Sequence, residues 1–255
     1  MQRRRWVKEL EQNLPCYPCA LRVINQQLWC CCHWAGVVIY DGDLEARHRI
    51  PRLGWVFDVA QIDDQHVVIA TGNGLYHASI QNVTGSYTSI DVGTCSSVVC
   101  HDEKVYSAFN DNEIRVYSTD TSGRSAWIKE RSFTVACGYL TLSVSNDSLL
   151  CCTSTSDNIA VYTLSGKFVE QRSLSRSPRQ GSNQLKTCYI CDHDADGNIL
   201  IGTWGSHELQ VINQHGDVDT LQLEPRVLQP QSAVVFKYHL YVTSWFNDTI
   251  AKYAW

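Results

Sequence analysis

A β-prone unit of roughly 40 residues recurs six times along the 255-residue chain, and this repetition constrains the fold more than any other feature. Each unit contains an apolar run with a small residue in it, such as "NILIGTW" at 198–204. A second run follows and ends on an aromatic or apolar residue. The small residues are Cys31, Ala70, Ala108, Cys152, Gly202 and Thr243, and the closing residues are Tyr40, Tyr76, Tyr117, Tyr162, Ile212 and Tyr253. The closing residues lie 36 to 50 positions apart, a spacing typical of propeller blades.

Each repeat contains several short β-prone runs and no helical periodicity, so we predict an all-β fold, a six-bladed β-propeller. Each blade is expected to be a four-stranded sheet, in a single domain that covers residues 1–255. The predicted repeats span roughly 15–50, 51–92, 93–134, 135–175, 187–222 and 228–255. The small residues are expected at the central channel, where converging strands leave no space for a large side chain.

The two ends of the chain are predicted to meet in one sheet. The last repeat stops at "KYAW" without an outer strand, and "RRRWVKEL", at 3–10, resembles the run "GKFVEQRSL" that ends the fourth repeat. We therefore predict that residues 3–10 pair with the sixth repeat and close the ring, which removes the exposed edges of an open propeller. A short amphipathic helix at the end of a coiled coil is the alternative for this segment.

The fourth and fifth repeats resemble NHL repeats. The run "DADGNILIGTWGSHELQVINQHGDV", at 194–218, has a D-x-D-G-N turn, an apolar strand, a polar loop and a second apolar strand before a glycine turn. "TSDNIAVYTLSGKFVEQRSL", at 155–174, matches the second half of that pattern. NHL propellers commonly form the substrate- or RNA-binding half of tripartite-motif (TRIM-NHL) ubiquitin ligases, so the resemblance implies a partner-binding role. The chain has no cysteine–histidine ladder like that of a RING, so ligase activity is not implied.

One segment has the spacing of a calcium-binding loop. Asp192, Asp194 and Asp196 alternate ahead of Gly197, as at the start of an EF-hand loop. The twelfth position, where a bidentate Glu belongs, is Thr203, and the corresponding turns of the other repeats lack these carboxylates. We therefore predict a tight turn and no bound metal ion.

Motifs for catalysis are also missing from the sequence. A lactonase-like propeller would surround a cation with carboxylate and amide ligands, whereas Asp58 and Asp192 are the only acidic candidates near the channel. The sequence has no nucleophile elbow, no HExxH and no glycine-rich phosphate loop. We therefore predict a protein that is not an enzyme and uses no cofactor, with a metal-dependent hydrolase as the least favoured alternative.

The 12 cysteines are predicted to be reduced. The start "MQRRRWVKEL" lacks the apolar core of a secretory signal, and no apolar run approaches the length of a membrane span, so we expect a cytoplasmic protein without a membrane partner. Cys30, Cys31 and Cys32 are consecutive, which suits small buried residues better than disulfides. Cys16 and Cys19 form a CxxC without a second pair at zinc-site spacing.

Propeller connectivity sorts the polar residues onto two faces. The turns between first and second strands and between third and fourth strands share one face, here called the turn face, which is predicted to be rich in acidic residues. The loops between second and third strands and the links between blades share the opposite face, here called the loop face, which is predicted to be basic and aromatic. Its predicted partner-binding residues are Trp34, Phe109, Asn110, Trp204, His207, Trp245, Phe246, Asn247, Arg49, Arg52, Arg131, Arg176 and Arg179.

Two kinds of partner suit such a face. Aromatic and Arg side chains form the hot spots of protein interfaces, and they also stack bases and neutralise phosphates in complexes with single-stranded RNA. The net charge of -5 favours a protein partner and makes DNA an unexpected one. Packing of individual tryptophans between blades is the alternative to exposure on this face. The Ser- and Arg-rich link "RSLSRSPRQGSNQLK", at 172–186, is either an arm that contacts an acidic partner or a solvated loop.

Overall fold

Six small sheets, antiparallel except for one strand pair, make up the described chain and are arranged around a central channel. The computed structural model describes residues 5–51, 53–82, 87–119, 126–135, 140–153, 158–174, 187–193, 197–204, 208–213 and 216–254. Within these ranges the chain forms 25 short strands, and its one helix is a single 3-10 turn at Ile80–Asn82. No helix in the described part of the chain is both long and apolar enough to cross a membrane.

Blades 1 to 5 each have four strands in sequence order from the channel outwards. The first strand of the chain is β1 (Arg5–Asn13). Blade 1 contains β2 (Pro18–Ile24), β3 (Gln27–Cys32), β4 (Gly36–Tyr40) and β5 (Ala46–Ile50). Blade 2 contains β6 (Val56–Asp63), β7 (His66–Thr71), β8 (Gly74–Ser79) and β9 (Tyr87–Val92). Blade 3 contains β10 (Cys95–His101), β11 (Lys104–Phe109), β12 (Glu113–Thr119) and β13 (Trp127–Thr134).

The remaining strands complete the ring. Blade 4 contains β14 (Leu140–Ser145), β15 (Ser148–Thr153), β16 (Asn158–Thr163) and β17 (Phe168–Ser173). Blade 5 contains β18 (Thr187–His193), β19 (Ile199–Trp204), β20 (Glu208–Ile212) and β21 (Val218–Thr220), and the short strand β22 (Gln222–Glu224) follows it. Blade 6 contains β23 (Pro230–Phe236), β24 (His239–Ser244) and β25 (Thr249–Ala254), with β1 as its fourth strand. The prediction of a six-bladed β-propeller is confirmed.

The N-terminal strand closes the ring, as predicted. β1 pairs antiparallel with β25, for example Lys8 with Tyr253, and its other edge pairs parallel with β22. Two residues of the predicted closing strand, Arg3 and Arg4, lie outside the described residues. The alternative of an amphipathic helix is wrong, because pairing in the sheet satisfies backbone groups of both β1 and β25.

Burial differs between strands in a way that the sequence pattern explains. The second strand of a blade packs against neighbouring blades on both sides, so β3, β7, β11 and β24 are buried from their second residue onward. Such strands are continuous apolar runs. The fourth strand forms the outer edge of its sheet, and β5 and β17 are accordingly polar and mostly exposed.

The repeated small residues lie in the second strands, one strand out from the predicted position at the channel. Ala70 pairs with Asp58 of the first strand, and Gly202 pairs with Tyr189. A Cβ atom added at Gly202 would lie 2.5 Å from the backbone oxygen of Pro230 in the next blade. The contact that restricts residue size at Gly202 is therefore with the neighbouring blade.

Polar turns connect the first and second strands. Four of these turns place two consecutive residues in the left-handed region, at Asn25–Gln26, Asp102–Glu103, Asn146–Asp147 and Lys237–Tyr238, which is the conformation of a two-residue hairpin turn. In blade 5, Gly197 also has a positive φ, of 75°. Asp194 and Asp196 of the calcium-like segment lie outside the described residues. The nine cysteines whose side chains the structure describes are free thiols, and most of them are buried.

The closing strand supplies a testable prediction. Trp6 is 4% exposed and packs with Leu223 and Tyr253, whereas the adjacent Val7 is 52% exposed. Trp6→Ala should lower the free energy of unfolding by about 3–5 kcal/mol, the usual cost of truncating a large buried aromatic side chain. Urea denaturation measures this, with Val7→Ala as a matched control on the same strand. Equal stability losses in the two variants would contradict the closed ring.

Candidate functional site

Six side chains of blades 6, 1 and 2 form an aromatic patch on the loop face. It consists of Tyr17, His33, Trp34, Trp55, Trp245 and Phe246. Tyr17 and Trp55 lie in the links that precede blades 1 and 2, and the other four lie in loops between second and third strands. Because these connections all lie on one face of a propeller, the closed ring brings them together.

Five of the six rings contact one another in a continuous row, and Phe246 follows Trp245 in the same loop. Trp245 contacts Tyr17 edge-on at 5.8 Å between centroids, Tyr17 contacts Trp34 edge-on at 5.2 Å, and Trp34 contacts Trp55 at 6.2 Å. His33 lies at the centre of this row and stacks on both Tyr17, at 4.6 Å, and Trp55, at 4.9 Å. Edge-on and offset arrangements of this kind are the favourable geometries of aromatic pairs.

Backbone hydrogen bonds fix the connections that carry the rings. The N–H of His33 donates to the carbonyl of Tyr17 at 3.2 Å, and the N–H of Val56 donates to the carbonyl of His33 at 2.8 Å. In blade 6, the N–H of Trp245 donates to the carbonyl of Gln229 at 3.2 Å. The patch is therefore held by bonds between neighbouring connections, which reduces the entropy that a partner must remove on binding.

His33 is the buried polar centre of the patch. The hydroxyl of Tyr17 lies 2.8 Å from Nδ1 of His33, whose side chain is almost fully covered by its neighbours. Burial lowers the pKa of His33 below its ordinary value of 6.5, so the imidazole is neutral at pH 7. A neutral ring can accept the Tyr17 hydroxyl proton at Nδ1, and a protonated ring cannot.

The outer surface of the patch remains open to solvent. Trp34 is 56% exposed, Trp55 is 52% exposed and Phe246 is 65% exposed, and Trp245 is also exposed. Scattered apolar residues are normal on a protein surface, but a contiguous group of large aromatic rings indicates an interaction site.

Several predicted binding residues lie at or beside this patch. Trp34, Trp245 and Phe246 belong to it, and Asn247 is exposed beside them. Arg49 lies next to the loop that carries Trp34 and donates its Nε–H to the carbonyl of Ala35 at 3.0 Å. Asn110 is exposed on the loop face of blade 3. Arg52, His207, Arg176, Arg179 and the side chain of Trp204 lie outside the described residues.

Two predicted residues are placed elsewhere by the structure, and the prediction is corrected for them. Phe109 is 2% exposed, because it is the last residue of β11 and packs into the core between blades. The guanidinium of Arg115 covers its ring at 3.9 Å. Arg131 extends away from the loop face and donates to the carbonyl of Leu164, in a turn on the turn face.

The loop face is not uniformly basic, which corrects a second part of the prediction. In blades 2 and 3, Arg115 is surrounded by the carboxylates of Asp91, Asp111 and Glu113. Burial alone would raise the pKa of Asp91. Hydrogen bonds from Tyr117 and Arg115 lower the pKa by more, and hold it below its usual range. This part of the face is therefore acidic overall, and the aromatic patch is a separate, nearly neutral surface.

Tyr17 and Trp55 were not among the predicted binding residues. Both occur in links between blades, in "CYP" and "GW", and the prediction considered only the basic residues of those links. An aromatic residue in a link is a usable signal, because links and second-to-third loops share the loop face. The sequence does not show which links carry rings that meet.

One group on the turn face has the composition of a metal site. Nε2 of His101 lies 3.4 Å from a carboxylate oxygen of Asp102 and 3.4 Å from one of Asp147. Among the described residues these are the only three His, Cys, Asp or Glu side chains whose donor atoms all lie within 4.8 Å of one another. Both aspartates are highly exposed, so ordering them around an ion would cost side-chain entropy. The group offers at most a weak site.

Comparisons with known proteins support the fold and leave the family open. No protein-family model matches the chain, and no curated protein matches it. Among solved structures, it is similar to a structural genomics protein of unknown function from Bacteroides thetaiotaomicron, with a TM-score of 0.71, 15% identity and coverage of 97% of this chain and 73% of that one.

Two other similar structures differ in their described activities. The virginiamycin B lyase of Staphylococcus aureus has a TM-score of 0.66 and 12% identity, with coverage of 96% of this chain and 98% of that chain. The WD40 β-propeller domain of Doa1 has a TM-score of 0.65 and 10% identity, with coverage of 98% and 97%. At these identities the likeness shows a shared β-propeller fold.

The buried imidazole of His33 leads to a prediction about pH. The unfolded chain takes up a proton at this residue below pH 6.5, whereas the folded chain resists it, so the contribution of His33 to stability is lost as the pH falls through that value. The free energy of unfolding of the wild type relative to a His33→Gln variant should therefore decrease between pH 7 and pH 5. Chemical denaturation at both values measures the difference. A pH-independent difference would contradict the neutral, buried state of His33.

Proposed function

We propose that this chain is a non-catalytic interaction module that binds a protein partner through the aromatic patch. The observation that carries the proposal is the contiguous row of exposed rings held by backbone hydrogen bonds on a rigid propeller. Trp and Tyr dominate the binding energy of protein interfaces, particularly when clustered and preorganised. The WD40 propeller among the similar structures agrees with an interaction role at the level of the fold.

The charge around the patch favours a protein over RNA. A single strand of RNA needs several cationic groups to neutralise its phosphates. Within the described residues, Arg49 is the arginine beside the patch, and its Nε already donates to the carbonyl of Ala35. The nearby part of the loop face around Arg115 carries three carboxylates, which would repel a phosphate backbone. Single-stranded RNA on the same face is the alternative.

The NHL-like repeats suggest the setting in which such a module acts. We propose recognition of a substrate or adaptor protein, as in the propeller of a TRIM-NHL-type ubiquitin ligase. The chain itself carries no RING-like cysteine pattern, so any transfer of ubiquitin would depend on another domain or another chain. This proposal concerns the partner-binding step alone.

The described channel residues support a role without catalysis. Asp58 accepts hydrogen bonds from Arg22, from the hydroxyl of Ser97 and from the backbone N–H of Val98. A carboxylate with its acceptor positions filled in this way cannot readily act as a base or as a ligand of a catalytic ion. A metal-dependent hydrolase remains the least favoured alternative, and the likeness to a lyase concerns the fold alone.

If a partner binds through the patch, substitutions in the patch should abolish its capture and substitutions elsewhere should not. The wild type, a Trp34→Ala/Trp245→Ala double variant and a Tyr238→Ala control should be immobilised and used to capture proteins from nuclease-treated lysate. Tyr238 is 91% exposed on the turn face, so its loss should not affect a partner of the patch. A partner should be retained by the control and lost by the double variant, and its affinity once purified should fall at least about 30-fold.

The RNA alternative is tested with the same three proteins. Random single-stranded RNA oligomers are titrated at low and at physiological salt, where binding that involves several phosphates weakens steeply. Salt-sensitive RNA binding that the double variant loses, together with no protein whose capture depends on the patch, would overturn the proposal in favour of RNA.

A further inference from the structure

A cavity of about 180 Å³ lies in the central channel, in the half nearer the turn face. Five first strands line it, β2, β6, β10, β14 and β18. Its apolar wall includes Val59, Val98 and Leu142, and its polar groups include Arg22, Ser143 and Asp192. An apolar cavity of about 150 Å³ takes up a molecule the size of benzene, so this volume is sufficient for a small organic ligand.

The charges inside the channel are not balanced. Nη2 of Arg22 lies 2.9 and 3.0 Å from the two carboxylate oxygens of Asp58, and Nη1 donates to the carbonyl of Leu21 at 3.1 Å. Arg22 therefore pairs with Asp58 and neutralises its charge. Asp192 forms no ion pair within the described part of the chain, and its carboxylate accepts the backbone N–H of His193 at 2.8 Å.

Loss of water outweighs the favourable contacts of Asp192. Burial raises the pKa of Asp192, the positive charge of Arg22 on β2 and the backbone N–H and imidazole of His193 lower it, and the negative charge of Asp58 on β6 raises it again. On the same strand, His193 lies beside Ser143, with Nδ1 3.3 Å from the hydroxyl oxygen. On β10, burial keeps Cys100 neutral by raising the pKa of its thiol. A desolvated carboxyl that nearby positive groups compensate only in part is costly to ionise.

The entrance to the cavity is also negatively charged. The first-to-second turns around the channel carry the exposed carboxylates of Asp64, Asp102, Glu103 and Asp147, against the single ammonium of Lys237 in the corresponding turn of blade 6. Charges of one sign around a cleft raise the local concentration of ligands of the opposite sign. The rim and the interior of the cavity therefore both favour a positively charged ligand.

We propose that the channel cavity binds a small organic cation, an ammonium group on a short aliphatic body. The ammonium would pair with Asp192, and the aliphatic part would pack against Val59, Val98 and Leu142. A divalent metal ion suits the cavity poorly, because such ions require several oxygen ligands and Asp192 is the one carboxylate among the described lining residues. This site lies on the side of the ring opposite the aromatic patch and does not depend on the proposed function.

The experiment uses n-butylammonium chloride as the probe, with n-butanol as an uncharged molecule of the same length. Isothermal titration calorimetry should show binding of butylammonium to the wild type, and binding at least about tenfold weaker to Asp192→Asn and for butanol. Binding should tighten as the pH rises, because the ion pair needs an ionised Asp192, and this dependence should disappear in Asp192→Asn. Asp64→Asn, at the rim, should keep the pH dependence.

Three results would contradict the proposed cation site. They are equal affinities of the wild type and Asp192→Asn, equal affinities of butylammonium and butanol, or heat from magnesium or calcium chloride with none from butylammonium. Circular dichroism of each variant establishes that it is folded.

The cost of the buried carboxyl gives an independent prediction. Because the folded-state pKa of Asp192 is raised, its stability contribution is present at low pH and is lost as the pH rises through that pKa. Asp192→Asn should therefore denature at a higher urea concentration than the wild type at pH 8, and the two midpoints should converge near pH 4. A variant that is less stable at pH 8 would show that the fold itself needs the carboxylate and would contradict a ligand-binding role.

Discussion

The pairing of β1 with β25 is the contact on which the rest of the structure depends. It joins the first and last strands of the chain and holds blade 6 against blade 1. Tyr17 follows β1 and Trp245 precedes β25, so their contact at 5.8 Å exists because the ring closes at this point. The channel cavity likewise requires the first strands to be held in a closed circle. Both candidate sites are therefore consequences of one strand pairing.

The architecture could be predicted from the sequence because repetition multiplies weak local signals. One apolar run such as β19 is ambiguous, but six such runs with a small residue at the same place indicate a propeller. Side-chain placement could not be predicted in the same way. Phe109 ends its strand facing the interior, and the long side chain of Arg131 reaches a turn of the next blade. Both outcomes depend on how blades pack against one another, which a pattern within one repeat does not specify.

The two faces of the propeller differ in the physical basis of recognition. On the loop face, aromatic rings supply apolar area, and the charged groups nearby are largely paired, as Arg115 is with its three carboxylates. On the turn face, exposed carboxylates surround the channel entrance and create a long-range attraction for cations. Binding at the first face should be insensitive to salt, whereas attraction to the second should be screened at physiological ionic strength.

The carboxyl groups of Asp58 and Asp192 have opposite effects on the stability of the fold. Asp58 connects three first strands, because it binds Arg22 on β2 and both Ser97 and Val98 on β10 while belonging to β6 itself. Its burial is offset by these bonds, and its removal would leave Arg22 without a counter-charge. Asp192 joins no other strand by an ion pair in the described structure, and the backbone N–H of His193 and the nearby charge of Arg22 offset its burial only in part. A group that costs stability and holds nothing together is best explained by a ligand that supplies the missing charge.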